Sequence, residues 1–298
     1  VGSRYAISEK ADGLNMLLAV DGKVGSLLGL DGRTTEHKVG SRIADGIHLF
    51  ECEVIARTIL IFDVLVFDSK DVTSLTFTQR YGLLKKHIVP TAKATTKATS
   101  SGGVRLKQFF FPRKEGMIFK HAKKILHRRF DYEIDGLIFM PTDSTYYDPT
   151  ARILKWKPPS HLTVDFLLTR RSKDSYDVSV GMNKHQFFQL KLNKLPWFKR
   201  FKIPKKKYFP ILFKPQHAPK GCDVLIDRDH KFGDLNDMIV EALWNGDAWI
   251  PMLIREDKTA IYKKTPHILI GPNNWKVAHS TLKEALRPVT ESMITTGS

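Results

Sequence analysis

The chain has 298 residues, of which 42% are hydrophobic and 27% are charged. These proportions supply enough apolar side chains for a buried core, so they exclude wholly disordered, collagen-like and disulfide-scaffold proteins. The 48 Lys and Arg residues outnumber the 31 Asp and Glu residues, which gives a formal net charge of +17. This excess predicts a polyanionic partner, with nucleic acid as the first candidate, because cationic side chains release counterions when they neutralise phosphates. A basic surface that only aids solubility is the alternative.

The longest apolar run covers residues 59–67 and is interrupted by Asp63. A membrane-spanning helix needs about 20 apolar residues, so we expect no membrane association. Cys52 and Cys222 have no partners at the spacing of a metal site, which is typical of a reducing compartment. The chain also starts without an initiator methionine or a signal-peptide pattern, and we expect it to be an excised piece of a longer protein.

Two Asp-Gly pairs, at 21–22 and 31–32, predict tight turns near the start of the chain. The first pair separates the apolar runs 14–20 and 24–30, and the second follows them. This pattern is a strong hairpin signal, so an antiparallel meander is expected. Further strands are predicted at 47–56, 59–67, 134–140, 152–157 and 163–168, and helices at 78–88 and 114–129. The irregular mixture favours an α+β fold over a doubly wound parallel sheet.

The composition changes near Thr169, where we place a domain boundary. Before it, residues 91–103 lack large apolar side chains and predict an exposed loop. After it, an Asn-Gly pair between apolar arms at 238–244 and 248–255 predicts a second hairpin, which suits a small β-barrel. A further helix is predicted at 275–286. The expected domains are residues 1–168, residues 169–264 and a C-terminal loop and helix at 265–298.

The segment Lys10-Ala11-Asp12-Gly13 places a lysine before the first predicted hairpin, beside a glycine that permits close backbone approach. A free lysine has a pKa of about 10.4 and becomes a nucleophile only where burial or neighbouring cations lower that value. Taken alone, the pattern is also that of an exposed lysine before a strand.

Other charged residues lie within predicted strands. Lys155 and Lys157 project from one face of a strand and Trp156 from the other, so the two lysines could bind a phosphate and lower the pKa of a third lysine. A surface strand with a buried Trp explains the same pattern. Glu53 and Asp135 interrupt apolar strands, where a carboxylate usually pairs with a base or holds a divalent cation.

Two cationic segments lie nearer the end of the chain. Arg255 and Asp257 are predicted to share one face of the second hairpin arm, which alone would pass as a solvated strand end. Residues 199–207 contain six basic residues in nine and are predicted to help hold RNA. These residues are Lys199, Arg200, Lys202, Lys205, Lys206 and Lys207. The sequence has no P-loop, no Gly-x-Gly-x-x-Gly and no His-Glu-x-x-His pattern, so any nucleotide is held in another way.

In this order and at these spacings, the segments resemble the motifs of the covalent nucleotidyltransferases, a superfamily that comprises mRNA capping guanylyltransferases and ATP- or NAD-dependent ligases. The resemblance extends over about residues 6–258. The motif positions are 10–13 for motif I, the segment ending at 53–54 for motif III, 61–65 for motif IIIa, 135–139 for motif IV, 154–158 for motif V and 255–258 for motif VI. Lys-Trp-Lys-Pro in motif V and Asp-Lys in motif VI are more similar to capping guanylyltransferases, of the kind found in large cytoplasmic DNA viruses of poxvirus or African swine fever virus type.

The resemblance implies an mRNA guanylyltransferase that forms a covalent lysyl-GMP intermediate from GTP and transfers GMP to the 5′-diphosphate end of RNA. Lys10 would be the nucleophile, and Lys155, Lys157 and Asp135 the other catalytic residues. The implied nucleotide-binding residues are Asp12, Gly13, Glu53, Phe62, Arg255, Asp257 and Lys258. Phe62 would stack on the guanine, Glu53 and Asp135 would hold Mg²⁺ or Mn²⁺, and the motif VI residues would contact the β- and γ-phosphates.

The same resemblance implies an antiparallel nucleotidyltransferase domain followed by an OB-fold β-barrel. It also implies flanking RNA triphosphatase and methyltransferase domains. The implied location is the host cytoplasm, a viral factory or a virion. Two positions depart from the family pattern, because Asn15 and Leu253 stand where an Arg is common. An ATP-dependent RNA or DNA ligase and a noncatalytic RNA-binding subunit are the alternatives.

Overall fold

The computed structural model describes residues 4–29, 34–38, 43, 46–88, 103–114, 116–173, 175–183, 185–186, 208–214, 224–225, 232–264 and 271–297. The chain forms two compact units: unit 1 contains Val1–Lys157 and Thr290–Ser298, and unit 2 contains Pro158–Val289. The mixture of helices and largely antiparallel sheets is the α+β class expected from the sequence. No helix in the described ranges is long and apolar enough to cross a membrane.

Unit 1 contains a seven-stranded sheet in the order β4-β3-β2-β5-β6-β7, with β8 paired to β6. All of its pairs are antiparallel except the parallel pair of β6 and β8. The expected turn at Gly22 is present, with φ at +58° in the left-handed region that glycine tolerates. The strands are β2 (Leu14–Asp21), β3 (Val24–Gly29), β4 (Thr34–Lys38), β5 (Ile47–Ile55), β6 (Thr58–Phe67), β7 (Lys70–Asp71) and β8 (Val104–Leu106).

A second, three-stranded antiparallel sheet of unit 1 has the order β1-β9-β10. Its strands are β1 (Tyr5–Ala11), β9 (Ile134–Pro141) and β10 (Leu154–Trp156). Sequence analysis did not predict β1, because Ser8 and Glu9 break its apolar pattern. Both are buried: the Ser8 hydroxyl donates to Glu9 and to the carbonyl of Gln108, and the Tyr132 hydroxyl donates to Glu9.

Three α-helices lie in the described part of unit 1. Helix α1 (Phe77–His87) starts with a capping box between Thr76 and Gln79 and buries Phe77, Tyr81 and Leu84 against the large sheet. Helix α2 (Met117–Leu126) covers the three-stranded sheet, and α5 (Glu291–Thr296) lies against α2. Both helices predicted in this region are confirmed, although α2 is shorter than the predicted 114–129.

The described part of unit 2 contains six strands, a short 3-10 helix (Pro159–His161) and two α-helices that are described over their full length. The strands are β11 (Thr163–Ser172), β12 (Ser175–Asn183), β13 (Tyr208–Leu212), β14 (Val224–Leu225), β15 (Ile239–Trp244) and β16 (Trp249–Ile254), and the helices are α3 (Glu256–Lys264) and α4 (Trp275–Leu286). The pairings β11–β15, β15–β16, β16–β14, β14–β12 and β12–β11 form a closed ring of five strands, and β13 pairs with β12. Trp275, Ala278 and Leu282 of α4 pack into its core. The predicted second hairpin, now β15 and β16, and the helix at 275–286 are confirmed.

The observed units differ from the expected domains at two places. The boundary expected after residue 168 lies inside β11, which pairs with β15 and β12 of unit 2. The expected C-terminal segment 265–298 is divided, because α4 belongs to unit 2 and Thr290–Ser298 to unit 1. The prediction that Asp257 lies on a strand with Arg255 is wrong. Strand β16 ends at Ile254, because the acidic Glu256 and Asp257 favour the first turn of α3.

Three predicted features lie outside the described residues. The turn expected at residues 31–32 is one of them. Residues 91–102 of the expected loop lie outside the described residues. The six basic residues at 199–207 lie outside them as well.

Candidate functional site

A cavity of about 500 Å³ lies in unit 1. Residues from β1, β2, β5, β6 and β9 line it, together with the segment before β10. Five residues expected from the sequence to act at a nucleotide site line this cavity: Lys10, Gly13, Glu53, Phe62 and Lys155. Segments up to about 145 positions apart in the chain therefore meet where motifs I, III, IIIa and V were identified.

Lys10 lines this cavity and belongs to an ion-paired group. Its Nζ is 2.6 Å from Oδ1 of Asp135, and the Nζ of Lys157 is 2.6 Å from Oδ2 of the same carboxylate. Partial burial raises the pKa of the Asp135 carboxyl, but the hydrogen bonds and positive charges of the two lysines outweigh burial and bring this pKa below its ordinary value. Asp135 thus fixes two cations beside each other, an arrangement that sequence spacing alone did not show.

Glycine is required beside Asp135 because β9 and β10 approach closely. A Cβ on Gly136 would lie 1.9 Å from the carbonyl oxygen of Trp156, and the φ of Gly136 is +147°. β10 pairs with β9 through Lys155 opposite Ile138 and Trp156 opposite Leu137. Trp156 is buried in the core under α2, as expected, and this anchors the two flanking lysines.

A second glycine shapes the wall near Glu53. A Cβ on Gly13 would lie 2.6 Å from Ile55 Cγ1 and 2.8 Å from Glu53 Cγ, so a larger residue has no room. Asp12 is exposed, and its backbone N–H donates to the carbonyl of Glu133. Asn15, which departs from the family pattern, lines the cavity opposite Glu53 in the β2–β5 register.

Glu53 has a partner that sequence analysis missed. The Nζ of Lys107 donates to Oε2 of Glu53 at 2.9 Å, and it lies 5.8 Å from the ring centroid of Phe62. Lys107 is only 2% exposed, which is unusual for a lysine. Lys107 follows β8 next to the polar Gln108, so the local sequence gives no signal of its burial or of its pairing with Glu53.

Another part of the cavity wall holds a buried polar cluster that was also missed. Arg80 donates to both carboxylate oxygens of Asp63, at 2.7 and 2.8 Å, and both side chains are buried. Burial and the charge of Asp63 raise the pKa of Glu51, although Tyr146, Arg80 and Lys155 act in the opposite direction. Burial and the neighbouring Glu51 raise the pKa of Tyr146. These residues come from four separate elements, so no local sequence pattern links them.

The motif VI residues form a network within unit 2. Arg255 Nη1 lies 3.0 Å from Oδ2 of Asp165, and Lys258 binds the same oxygen. Arg255 also pairs with Asp257 at 3.3 Å. Asp165 is 5% exposed and interrupts the apolar strand β11. A carboxylate within an apolar strand is the pattern that indicated Glu53, but Asp165 was not among the predicted site residues. Leu253, the other departure from the family pattern, is exposed on β16.

Glu53 and Asp135 were expected to hold a divalent cation, and Glu53 is the more suitable of the two. In the described ranges, no three His, Cys, Asp or Glu side chains are grouped to hold a metal ion. Mg²⁺ commonly takes only one or two carboxylates and completes its shell with waters and substrate phosphates. Glu53 lines the cavity and fits this requirement, whereas each oxygen of Asp135 binds a lysine.

Residues 42–159 match the family "mRNA capping enzyme, catalytic domain". The chain is 30% identical to an mRNA-capping enzyme of Caenorhabditis elegans over 198 residues, which are 57% of this chain and 30% of that enzyme. It is 27% identical to the "Probable mRNA-capping enzyme" of Acanthamoeba polyphaga mimivirus over 191 residues, which are 55% of this chain and 16% of that protein. A solved structure titled "mycobacterial DNA ligase D complexed with ATP and MES" is 14% identical and covers 86% of this chain and 90% of that chain, with a TM-score of 0.45.

The matches to the family model and to the two capping enzymes confirm the resemblance to mRNA capping enzymes that the six motifs indicated. The matched family range contains Glu53, Phe62, Asp135, Lys155 and Lys157, and it starts after Lys10. The chain spans less than a third of the length of the two capping enzymes. Residues 42–159 are thus the part of the chain that is similar to the catalytic domain of mRNA capping enzymes.

Proposed function

We propose that this chain is the guanylyltransferase part of an mRNA capping enzyme. The observation that carries the proposal is Lys10 at the cavity, held by Asp135 next to Lys157, with Lys155 on the same wall. The family match over residues 42–159 supports the same reading of motifs III to V. The substrates would be GTP and RNA with a 5′-diphosphate end.

In the first step, Lys10 loses a proton to solvent and its Nζ attacks the α-phosphorus of GTP. The N–P bond forms as the bond to the β-phosphate oxygen breaks, and pyrophosphate leaves with that electron pair. Lys155 and Lys157 stabilise the charge that develops on the phosphate oxygens, a contribution that is large where the cations are already in place. Asp135 orients the nucleophile and offsets part of the positive charge of Lys10 and Lys157 before GTP binds.

In the second step, a terminal phosphate oxygen of the RNA diphosphate attacks the same phosphorus. The N–P bond breaks, Lys10 regains a proton, and the product carries GMP in a 5′-to-5′ triphosphate linkage. The same lysines stabilise both transition states, because each step is a displacement at the same α-phosphorus and transfers GMP.

The nucleotide would be held by the other residues of the cavity. Phe62 would stack on the guanine, and Asp12 and Gly13 would contact the nucleotide beside Lys10. Glu53 would hold Mg²⁺ or Mn²⁺, which when bound neutralises charge on the phosphates. The pair of Lys107 with Glu53 keeps this carboxylate directed at the cavity.

Unit 2 would be an OB fold, and its closed ring of five strands supports this proposal. By the family resemblance, Arg255, Asp257 and Lys258 would bind the β- and γ-phosphates. The basic residues at 199–207 remain a proposed RNA contact. The mimivirus relative supports a viral origin. Work in the host cytoplasm, a viral factory or a virion, and flanking triphosphatase and methyltransferase domains, remain proposals from the family resemblance.

The test is incubation with α-³²P-labelled GTP or ATP and Mg²⁺, followed by a denaturing gel. We expect label from GTP alone, absent in Lys10→Ala, retained in the control Lys85→Ala, and discharged by pyrophosphate. Lys85 is a suitable control because it is exposed on α1, away from the cavity. Label from ATP alone would contradict the proposal and indicate a ligase, and no label from either nucleotide would indicate a noncatalytic RNA-binding subunit.

A further inference from the structure

Helix α2 and its flanks carry a dense positive charge that the proposed chemistry does not use. Residues 113–129 contain seven Lys or Arg side chains and a single acidic residue. The apolar side of α2 packs in the core, where Ile118, Ala122 and Ile125 are buried against the three-stranded sheet. The cations all lie on the exposed side, and we call this set the α2 basic face. It consists of Arg113, Lys114, Lys120, Lys123, Lys124, Arg128 and Arg129.

These charges have no carboxylate partners within the described part of the chain. The ion pair between Arg105 and Asp131 uses none of them. Arg128 donates to the amide oxygen of Gln108 and stacks over Phe130, and Lys124 lies over Phe110. These contacts orient two of the cations without neutralising either of them.

Helix stability does not explain the pattern. Cations favour the last turn of a helix, which accounts for Lys123 and Lys124 alone. Arg113 and Lys114 precede the first turn, where the helix dipole disfavours positive charge, and no acidic residue lies in that turn. Lys120 and Lys124 are also four positions apart, a spacing at which like charges repel. The face is therefore unfavourable for the isolated fold and suits an anionic partner.

The chemistry of the face favours a phosphate backbone over a protein surface. Protein interfaces are typically centred on large apolar or aromatic anchors. Among the described residues of 113–129, none is an exposed large hydrophobic residue. Closely spaced cations without apolar anchors are instead typical of contacts to successive phosphates.

The position of α2 connects this face to the cavity. Ile7 of β1 lies in the core cluster beneath α2, and Lys10 lies three residues further along the same strand. This separation is about 10 Å along a strand and places the two side chains on opposite faces. The sheet between α2 and the cavity has three strands and is about 10 Å wide, so a single-stranded polymer can pass its edge.

We propose that the α2 basic face binds the sugar-phosphate backbone of the acceptor RNA several nucleotides downstream of the 5′ end that reaches Lys10. The proposal rests on the proposed function for the identity of the polymer. The α2 basic face, in unit 1, would be a second RNA contact in addition to the proposed contact at residues 199–207.

The test compares the wild-type chain with Lys120→Gln/Lys123→Gln/Lys124→Gln/Arg129→Gln. Glutamine removes the charge and is a good helix former, so α2 should remain folded. The matched control is Lys23→Gln/Lys70→Gln/Lys85→Gln/Lys86→Gln, which changes the net charge equally at exposed positions of unit 1. The probe is a fluorescent 5′-hydroxyl RNA of about 25 nucleotides, longer than the site of a single binding module and unable to accept GMP.

We expect the α2 variant to lose RNA affinity by at least about tenfold at 0.1 M salt, and the control to lose less than about threefold. The slope of log affinity against log salt should fall by about 0.7 for each phosphate contact removed. In the transfer assay, the variant should raise KM for the long 5′-diphosphate RNA and leave KM for a 5′-diphosphate trinucleotide unchanged, since the short RNA cannot reach α2.

Several results would overturn the proposal. Equal losses of RNA affinity in the α2 variant and the control would show a general effect of net charge. Unchanged RNA affinity in the α2 variant would show that the face is solvated or binds another partner. If the fourfold variant does not fold, Lys120→Gln/Lys124→Gln takes its place with Lys85→Gln/Lys86→Gln as control. Cross-linking of wild-type chain to 4-thiouridine RNA should also map to peptides of residues 113–129. Because the probe accepts no GMP, failure of binding is distinguishable from failure of GTP labelling.

Discussion

At the scale of single residues, Asp135 pairs with both Lys10 and Lys157, so in the proposed reaction it would orient the nucleophile and offset part of the positive charge. We expect Asp135→Asn to lower the rate of lysyl-GMP formation by about a hundredfold or more, since misplacing a nucleophile has effects of this size. The measurement is the single-turnover rate of label transfer from GTP. Asp131→Asn is the matched control, because Asp131 is exposed and pairs only with Arg105 in the described structure. A rate within threefold of wild type would contradict this role.

The raised pKa of Glu51 predicts a pH-dependent effect on stability. Burial and Asp63 raise this pKa, so the folded chain binds the Glu51 proton more tightly than the unfolded chain does. Its favourable contribution is fully present below the unfolded pKa of about 4.3 and is lost as pH rises through the folded pKa. Glu51→Gln removes the charged form, so we expect its urea midpoint to exceed that of wild type at pH 8 and the difference to shrink towards pH 4.

A difference that is constant with pH would contradict this origin. Glu36→Gln serves as the control, because Glu36 is exposed on β4 and should shift the midpoint little at either pH.

At the scale of elements, the close pairing of β9 and β10 depends on Gly136. In Gly136→Ala the new methyl group would overlap the Trp156 carbonyl, and the backbone would keep an unfavourable φ. β10 must then move away from β9 and take Lys155 and Lys157 with it. We expect a lower unfolding temperature of unit 1 and loss of GTP labelling, measured by calorimetry and the gel assay.

Gly82→Ala is the matched control for this prediction. A methyl group at Gly82 in α1 meets nothing within 4 Å, and Ala favours a helix over Gly by about 1 kcal/mol. We expect this variant to label normally and to unfold at the same or a higher temperature. If Gly136→Ala behaved in the same way, the close approach of β10 would not be required.

The elements that sequence analysis predicted have strong local signals. The turn at Gly22 and the apolar runs around it defined β2 and β3, and helix 275–286 matched α4 at both ends. Strand β1 was missed because the burial of Ser8 and Glu9 depends on partners about 100 positions away. Local patterns indicate an element only when its polar residues face solvent.

The residues of the candidate site also fall into two groups, those that the sequence predicts and those that only the folded structure shows. Lys10, Glu53 and Asp135 were found because each is a charged residue in a motif or an apolar strand. Lys107 and Arg80 were not, because their importance arises from contacts with Glu53 and Asp63 that only the folded chain creates. Spacing within a segment can be read from sequence, but pairing between segments depends on the register of the sheets.

At the scale of the whole molecule, the net charge of +17 predicts that the two proposed steps respond differently to salt. RNA would neutralise many cations along its backbone, whereas GTP would contact only the few around the cavity. A ligand that makes six to ten phosphate contacts loses about 10³- to 10⁵-fold in affinity between 50 and 200 mM salt. The dependence is weaker for single strands, with a slope of about −0.7 for each contact.

We therefore expect an increase from 50 to 200 mM KCl to raise KM for a long 5′-diphosphate RNA by at least about tenfold. The rate of GTP labelling at saturating GTP should change by less than about twofold, because ion pairs held inside a cavity are screened less than exposed charges. Both rates can be measured on one preparation, with the trinucleotide acceptor as control for salt effects on chemistry. An equal salt dependence of GTP labelling and of transfer to long RNA would contradict this prediction. It would mean that the excess positive charge acts on the nucleotide and not on the RNA backbone.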